Sequence, residues 1–130
     1  MKKIICIILL LSCVLISHAE DPIEIFRVKA LETNYSGRWS GCEHKGMIFF
    51  YTDKIVNKSD TGVGEFYIMG DVEQYEGSDG SIALMWECLN ENLNACLIVL
   101  TYHKEYRRRC VSIVYSTHEV RYILKNDDEY

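Results

Sequence analysis

The chain has 130 residues, of which 48% are hydrophobic and 25% are charged, and its formal net charge is −5 at pH 7. This length predicts one domain with a small hydrophobic core. The acidic balance argues against nucleic acid and anionic membrane surfaces as partners, because both are bound through clusters of basic residues.

The first 19 residues have the pattern of a signal peptide. Lys2 and Lys3 form a short basic head, residues 4–16 are apolar, and Ser17 and Ala19 are small residues at the positions that a signal peptidase reads. The apolar run is too short to span a bilayer comfortably. We therefore expect cleavage after Ala19, a secreted or periplasmic protein, and no membrane span.

A bacterial lipoprotein signal is an alternative interpretation, because residues 10–13 loosely resemble the lipoprotein cleavage box, which would leave Cys13 as a lipidated N-terminus. Leu11 fits that box poorly. Cleavage after Ala19 leaves a single domain over residues 20–130 with a short acidic C-terminal tail. The net charge of this domain is −7, because 12 Lys and Arg oppose 19 Asp and Glu.

Four cysteines follow the predicted signal peptide: Cys42, Cys88, Cys96 and Cys110. An even number of cysteines in an exported protein predicts two disulfides. One pairing joins Cys88 to Cys96 across a polar turn and leaves Cys42 to reach Cys110. The other joins Cys96 to Cys110 and Cys42 to Cys88. The second pairing is slightly preferred, and the sequence leaves both open.

Hydrophobic residues recur with a period of two, which is typical of β-strands. The alternation is clear in residues 111–115 and 120–124, where β-branched and aromatic residues predominate. Turns are predicted at residues 44–46 and 78–80, and a longer polar loop at residues 57–62. The predicted strands lie near residues 23–30, 37–43, 46–56, 63–75, 81–88, 95–103, 109–117 and 119–125.

Short connections between these strands favour antiparallel neighbours. We therefore predict an all-β fold in which an antiparallel meander closes into a small barrel, because an open sheet of this length would leave long edges exposed. The alternative is an immunoglobulin-like β-sandwich.

The motif Gly37-Arg38-Trp39 on an early strand resembles the opening of calycin barrels, the lipocalins and avidins. This resemblance implies an up-and-down barrel, closed at one end by Trp39, that carries a small apolar ligand. The residues Gly64-Glu65-Phe66 and the strand of Trp86 are similar in order to those of avidins. Biotin binding is not implied, because the polar ligand contacts of an avidin cannot be placed on this sequence.

Cys42 and Cys110 resemble the paired cysteines of immunoglobulin-like domains. Two features depart from that pattern. The tryptophan expected about a dozen residues after the first cysteine is missing, and Tyr106 lies four residues before Cys110 instead of two. The barrel is therefore ranked ahead of the sandwich.

The cluster Arg107, Arg108 and Arg109 is the strongest candidate for a binding site, together with Tyr106 and Trp39. Guanidinium groups bind carboxylate, sulfate or phosphate groups in a bidentate manner. Strand alternation would place Arg107 and Arg109 on one face and Arg108 on the other. Asn34 and Asn57 begin glycosylation sequons, which matter only in a eukaryotic secretory pathway.

No catalytic motif is recognisable, and Cys42-Glu43-His44 lacks a second pair of ligands at the spacing of a zinc site. We therefore expect no enzyme activity, no cofactor and no metal. The leading hypothesis is an exported protein-binding domain, such as an inhibitor or a host-interaction factor. The alternatives are a carrier of a small apolar ligand and, third, a small hydrolase. The oligomeric state is left open.

Overall fold

The computed structural model describes residues 21–104 and 107–126, and the part of the chain that it describes contains β-strands and no helix. The predicted signal peptide therefore lies outside the described residues. The strands are β1 (Glu24–Tyr35), β2 (Arg38–Phe50), β3 (Lys54–Ser59), β4 (Gly62–Ile68), β5 (Glu73–Glu76), β6 (Ile82–Asn90), β7 (Ala95–His103), β8 (Arg108–Val114) and β9 (His118–Leu124).

The strands form one antiparallel sheet in the order β4-β3-β2-β1-β9-β8-β7-β6-β5. A further pairing between β4 and β6 closes eight of these strands into a barrel and leaves β5 as an appended strand. The predicted antiparallel meander and its closure into a barrel are confirmed. The sandwich alternative is wrong, because one continuous sheet closes on itself instead of two sheets packing face to face.

The turn predicted at residues 44–46 is wrong, because β2 runs through it as far as Phe50. Gly46 serves a different purpose there: a Cβ atom at this position would lie 2.7 Å from the carbonyl oxygen of Lys58 on β3. The glycine thus permits close contact between strands and does not mark a reversal. The chain reverses instead after Phe50, where the N–H of Tyr51 donates to the carbonyl oxygen of Lys54 at 2.9 Å.

Two other predicted boundaries change. The predicted strand 63–75 is divided into β4 and β5, and the predicted loop 57–62 shortens to Asp60 and Thr61, because β3 continues to Ser59. The turn at residues 78–80 is confirmed, with Gly80 at a φ of 86°. Asp79 stabilises this turn by accepting hydrogen bonds from the N–H and the hydroxyl of Ser81, which lower the pKa of its carboxyl group.

The barrel interior is filled by apolar side chains from strands all around the barrel. Their relative exposures are 0% for Ile98, 1% for Ile48, Ile55 and Leu124, and 2% for Val28. These residues belong to five different strands, and the buried cluster as a whole draws on all eight strands of the barrel. Such a core supplies most of the stability of a domain of this size.

The core predicts a contrast between two substitutions. We expect Ile98→Ala to lower the free energy of unfolding by about 2–5 kcal/mol, because it removes buried methylene groups and leaves a cavity. The matched control is Val63→Ala, whose side chain is 53% exposed, and its effect should stay within about 0.5 kcal/mol. Urea denaturation measures both, and equal losses would contradict this description of the core.

All four cysteines of the described residues are free thiols, so the prediction of two disulfides is not supported. The strand register explains why. Cys110 pairs with Thr101 on β7, five residues from Cys96, which places the two cysteines on opposite faces and about 17 Å apart along the strand. The preferred pairing is therefore excluded.

In the alternative pairing, the disulfide between Cys42 and Cys110 is also excluded. Cys42 lies on β2 and Cys110 on β8, and β1 and β9 separate those strands. Around the sheet this spacing is about 14 Å, beyond the reach of a disulfide. Cys88 and Cys96, in contrast, face each other directly across β6 and β7. They are the one cysteine pair of the described chain in directly opposed positions.

Thiol reactivity should follow burial in the reduced protein. Cys42 is exposed and the other three cysteines are buried. Burial raises the pKa of Cys88 to about 12 and also raises the pKa of Cys96, so both stay protonated and unreactive near pH 8. We expect a maleimide to modify Cys42 in the native protein and the other three only after unfolding, as measured by peptide mass spectrometry. Equal labelling of Cys42 and Cys88 would contradict the structure.

Candidate ligand-binding site

An apolar cleft of about 480 Å³ opens at one end of the barrel. It lies where the start of β1, the end of β2 and the facing parts of β6 and β7 converge. Apolar side chains form most of its wall. The cleft is lined by Ile23, Glu24, Phe26, Phe50, Tyr51, Thr52, Val72, Leu84, Trp86 and Leu100.

Three aromatic rings form the base of the apolar cleft, with the ring of Phe50 in contact with both of the others. The Phe26 and Phe50 rings meet edge to face with centroids 5.6 Å apart, and the Phe50 and Trp86 centroids are 5.0 Å apart. Phe26 and Phe50 are each only 6% exposed, so the surrounding core holds them in place. Aromatic contacts of this geometry add to the burial of the rings, and they make a rigid apolar surface.

Exposed apolar side chains surround the opening. Ile23 is 65% exposed and Val72 is 48% exposed, although both line the apolar cleft. Ile23 is positioned by its N–H, which donates to the carbonyl oxygen of Phe50 at 2.7 Å. Apolar surface that is concentrated around a concavity is typical of sites where a ligand or a partner is bound.

A smaller cleft of about 280 Å³ adjoins the first and shares Glu24, Phe26, Leu84 and Leu100 with it. It adds Ile82, Thr101, Tyr102 and Arg109. The guanidinium carbon of Arg109 lies 5.5 Å from the centroid of the Phe26 ring, and its Nη2 donates to the carbonyl oxygen of Lys125 at 2.6 Å. A cation and the Glu24 carboxylate therefore border an otherwise apolar site.

The structure separates the arginine cluster that the sequence singled out. Arg107 lies in a turn with a φ of 51°, whereas Arg108 and Arg109 lie on β8 and alternate between its two faces. Of the three, Arg109 reaches the smaller cleft. Tyr106 lies outside the described residues. A single patch made of all three arginines is thus not formed.

Trp39 lies on the outer face of the barrel and does not close its end. Its side chain is 41% exposed, and the guanidinium carbon of Arg121 lies 4.1 Å from its ring centroid. Arg121 also approaches Glu32 at 3.5 Å, and Glu32 pairs with Arg108 at 3.2 Å. Trp39 and Arg108 therefore belong to one polar network on the outer face, away from the apolar cleft.

This polar network borders a groove of about 600 Å³ on the outer face of β7, β8 and β9. Arg108 and Arg121 line the groove, and both are engaged by Glu32. Because the ionised side chains are about one third exposed or more, each pair contributes little to stability. The groove is larger than the apolar cleft but lacks its aromatic base.

The side chain of Asn57, which begins one of the two sequons, makes a hydrogen bond within the protein. The Nδ2 of Asn57 donates to the Tyr122 hydroxyl at 2.7 Å inside the barrel. Burial raises the pKa of Tyr122, and this hydrogen bond partly offsets the rise. Since glycosylation would need that same nitrogen, the folded domain does not present Asn57 to a glycosyltransferase.

The residues that form the base of the apolar cleft were not predicted as a site from the sequence. Alternation could have placed Phe26, Leu84 and Trp86 on inward faces. It could not show that they lie at the open end of the barrel, because that position depends on where the pairing between neighbouring strands ends.

Among the described residues, no helix is long and apolar enough to cross a membrane. The chain was compared with family models, with curated proteins and with solved structures. None of them matches it.

Proposed function

We propose that this protein is a binding protein that carries a small apolar molecule in the apolar cleft. The observation that supports the proposal is the aromatic base of Phe26, Phe50 and Trp86 beneath exposed apolar side chains. The volume of the apolar cleft, about 480 Å³, is within the range of small-molecule sites. The proposal includes export from the cell, which is based on the signal-peptide pattern of residues 1–19.

The energetics favour an apolar ligand of modest affinity. Burying about 200 Å² of apolar ligand surface contributes about 5 kcal/mol. Part of this gain is lost to the entropy of association. The rigid base reduces the further cost of ordering side chains, since Phe26 and Phe50 are already held by the core. Since 5 kcal/mol corresponds to a dissociation constant of about 0.2 mM, we expect submillimolar to millimolar dissociation constants for a simple apolar probe.

A protein partner is the second candidate. Tyr102 is 37% exposed and lines the smaller cleft beside Arg109, and tyrosine and arginine are frequent at protein interfaces. This candidate would use the same end of the barrel, with a partner side chain inserted into the apolar cleft. The split arginine cluster supports it less than a continuous patch would.

Fluorescence offers a direct test of the carrier proposal. The chain has two tryptophans, and Trp39 lies outside the apolar cleft, so Trp39→Phe leaves Trp86 as a reporter within it. We expect the apolar probe N-phenyl-1-naphthylamine to quench Trp86 by energy transfer with saturable binding. Leu84→Glu should weaken binding by about tenfold or more, because it places a charge against the apolar ligand.

The matched control is Val63→Glu, a charge of the same sign at an exposed position on β4, which should leave binding unchanged. Circular dichroism checks that both variants fold. Equal binding by the two variants, or no saturable binding to the Trp39→Phe protein, would contradict the carrier proposal. Native mass spectrometry of protein from its own source then reports whether a small molecule or a protein is bound.

A further inference from the structure

Half of β2 is an open sheet edge. Residues 46–50 of β2 pair with β3, whereas residues 38–43 pair with β1 on one side and with no other strand of the described chain. Residues 44 and 45 form a bulge between the two segments. Residues 38–43 are all exposed, and so is Lys45. An open edge of this length presents unpaired backbone donors and acceptors, which can pair with another strand.

The hairpin geometry identifies which backbone groups point away from β1. Tyr35 and Arg38 flank the two-residue turn Ser36-Gly37, so they form a hydrogen-bonded pair. Hydrogen-bonded and non-hydrogen-bonded pairs alternate along an antiparallel ladder. Cys42 therefore bonds toward Leu31 on β1, and its neighbours Gly41 and Glu43 direct their N–H and C=O groups toward the open edge.

The centre of this edge has little of the usual protection against strand pairing. Residues 39–43 contain no proline and no lysine, and the charged side chains Arg38 and Lys45 lie at the two ends of the open stretch. The bulge lies between Val28 and Ala30 on β1, and on β2 it falls at His44 and Lys45, directly after Glu43 and outside residues 39–43. Nothing in residues 39–43 therefore disfavours the addition of a strand.

We propose that this edge pairs with the same edge of a second copy of the chain, in antiparallel orientation, with the two-fold axis beside Cys42. In this register Gly41 of each copy forms a hydrogen-bonded pair with Glu43 of the other, which gives four backbone hydrogen bonds. Cys42 lies opposite Cys42. No two like charges are directly opposed in this segment, a condition that stable cross-strand pairs require.

The alternation of the ladder places the two Cys42 residues in a non-hydrogen-bonded pair. The Cα atoms of such a pair are about 4.5 Å apart, within the range that a disulfide spans. Cys42 is the exposed cysteine of the described chain, while Cys88, Cys96 and Cys110 are buried. The thiol at the centre of the edge is thus accessible to the partner's thiol.

The covalent step can be driven by oxidised glutathione. One Cys42 thiolate attacks the glutathione disulfide and releases one reduced glutathione, and the second Cys42 thiolate then displaces the other. Two thiols are oxidised to one disulfide, and one glutathione disulfide is reduced to two thiols. The disulfide between the copies therefore reports on the proposed register.

The test combines sedimentation equilibrium of the reduced protein with oxidation by glutathione disulfide near pH 8. We expect a concentration-dependent dimer and, after oxidation, a disulfide between two Cys42 residues, identified by mass spectrometry of non-reduced peptides. Cys42→Ser should keep the non-covalent dimer and lose the covalent one. A monomer with glutathione attached to Cys42, or a covalent dimer joined through another cysteine, would overturn the proposal.

Glu43→Pro removes a backbone donor that faces the open edge, and an edge strand tolerates proline at such a position. We expect it to slow formation of the Cys42 disulfide by about tenfold or more, because two of the four hydrogen bonds are lost. Glu43→Ala is the matched control and should form the disulfide at the wild-type rate. Equal rates for the two variants would overturn the proposed pairing.

If circular dichroism shows that Glu43→Pro does not fold, the double variant Ser40→Lys and Glu43→Lys serves in its place. It keeps every backbone donor and places four added lysines at the centre of the dimer. Their repulsion should slow formation of the disulfide at low salt and do so less at high salt. A rate equal to that of the wild type at low salt would overturn the proposal.

Discussion

Three residue pairs between β4 and β6 close the barrel, and the apolar cleft depends on where this short pairing stops. Phe66, Tyr67 and Ile68 pair with Asn90, Leu89 and Cys88, in that order. Residues 82–85 of β6 pair with β5 instead. One strand thus has two neighbours on the same side, and the chain between those neighbours must leave the barrel wall.

The apolar cleft lies at this departure. Met69 still bonds to the sheet, since its N–H donates to the carbonyl oxygen of Glu87 at 2.8 Å, but β5 begins only at Glu73. Val72 in the connecting segment and Trp86 on β6 then face the end of β2 across the gap. Because no strand of the described chain continues β4 here, inward-facing aromatic side chains become accessible from outside the barrel.

Incomplete strand pairing also produces the second candidate surface, the open edge of β2. β2 is longer than β3, so its first residues extend beyond the last pair, Gly46 with Ser59. Side chains or a ligand can cover an apolar face of a sheet, whereas another strand can replace water along the regular row of donors and acceptors of an edge. The two proposals therefore concern different consequences of unequal strand lengths, and each can fail without the other.

Several features were predictable from local pattern. Residues 95–103 are rich in apolar and β-branched side chains, and the predicted strand coincides with β7. Ser78, Asp79 and Gly80 form the predicted turn, because a positive φ and a side-chain acceptor are local properties. Gly46 was misread, since a glycine needed for contact with Lys58 is identical in sequence to one needed for a turn.

The cysteines and arginines show what local sequence pattern could not predict. Alternation separated Arg108 from Arg109 correctly, but it could not show that Arg109 would reach Phe26 while Arg108 would pair with Glu32. Spacing along the chain likewise did not decide among the cysteine pairings. The strand register did, because it sets both the face and the height of each side chain in the barrel.

The sequence by itself determined that the described chain is all-β, that its strands are antiparallel neighbours, and which positions alternate toward the core. These properties depend on side-chain period and short connections, which are local. Tertiary structure alone decided which strand closes the ring, where the barrel stays open, and that Trp86 rather than Trp39 lies at the cleft. Those outcomes depend on contacts between residues far apart in the chain, whose pairing and register no local pattern specifies.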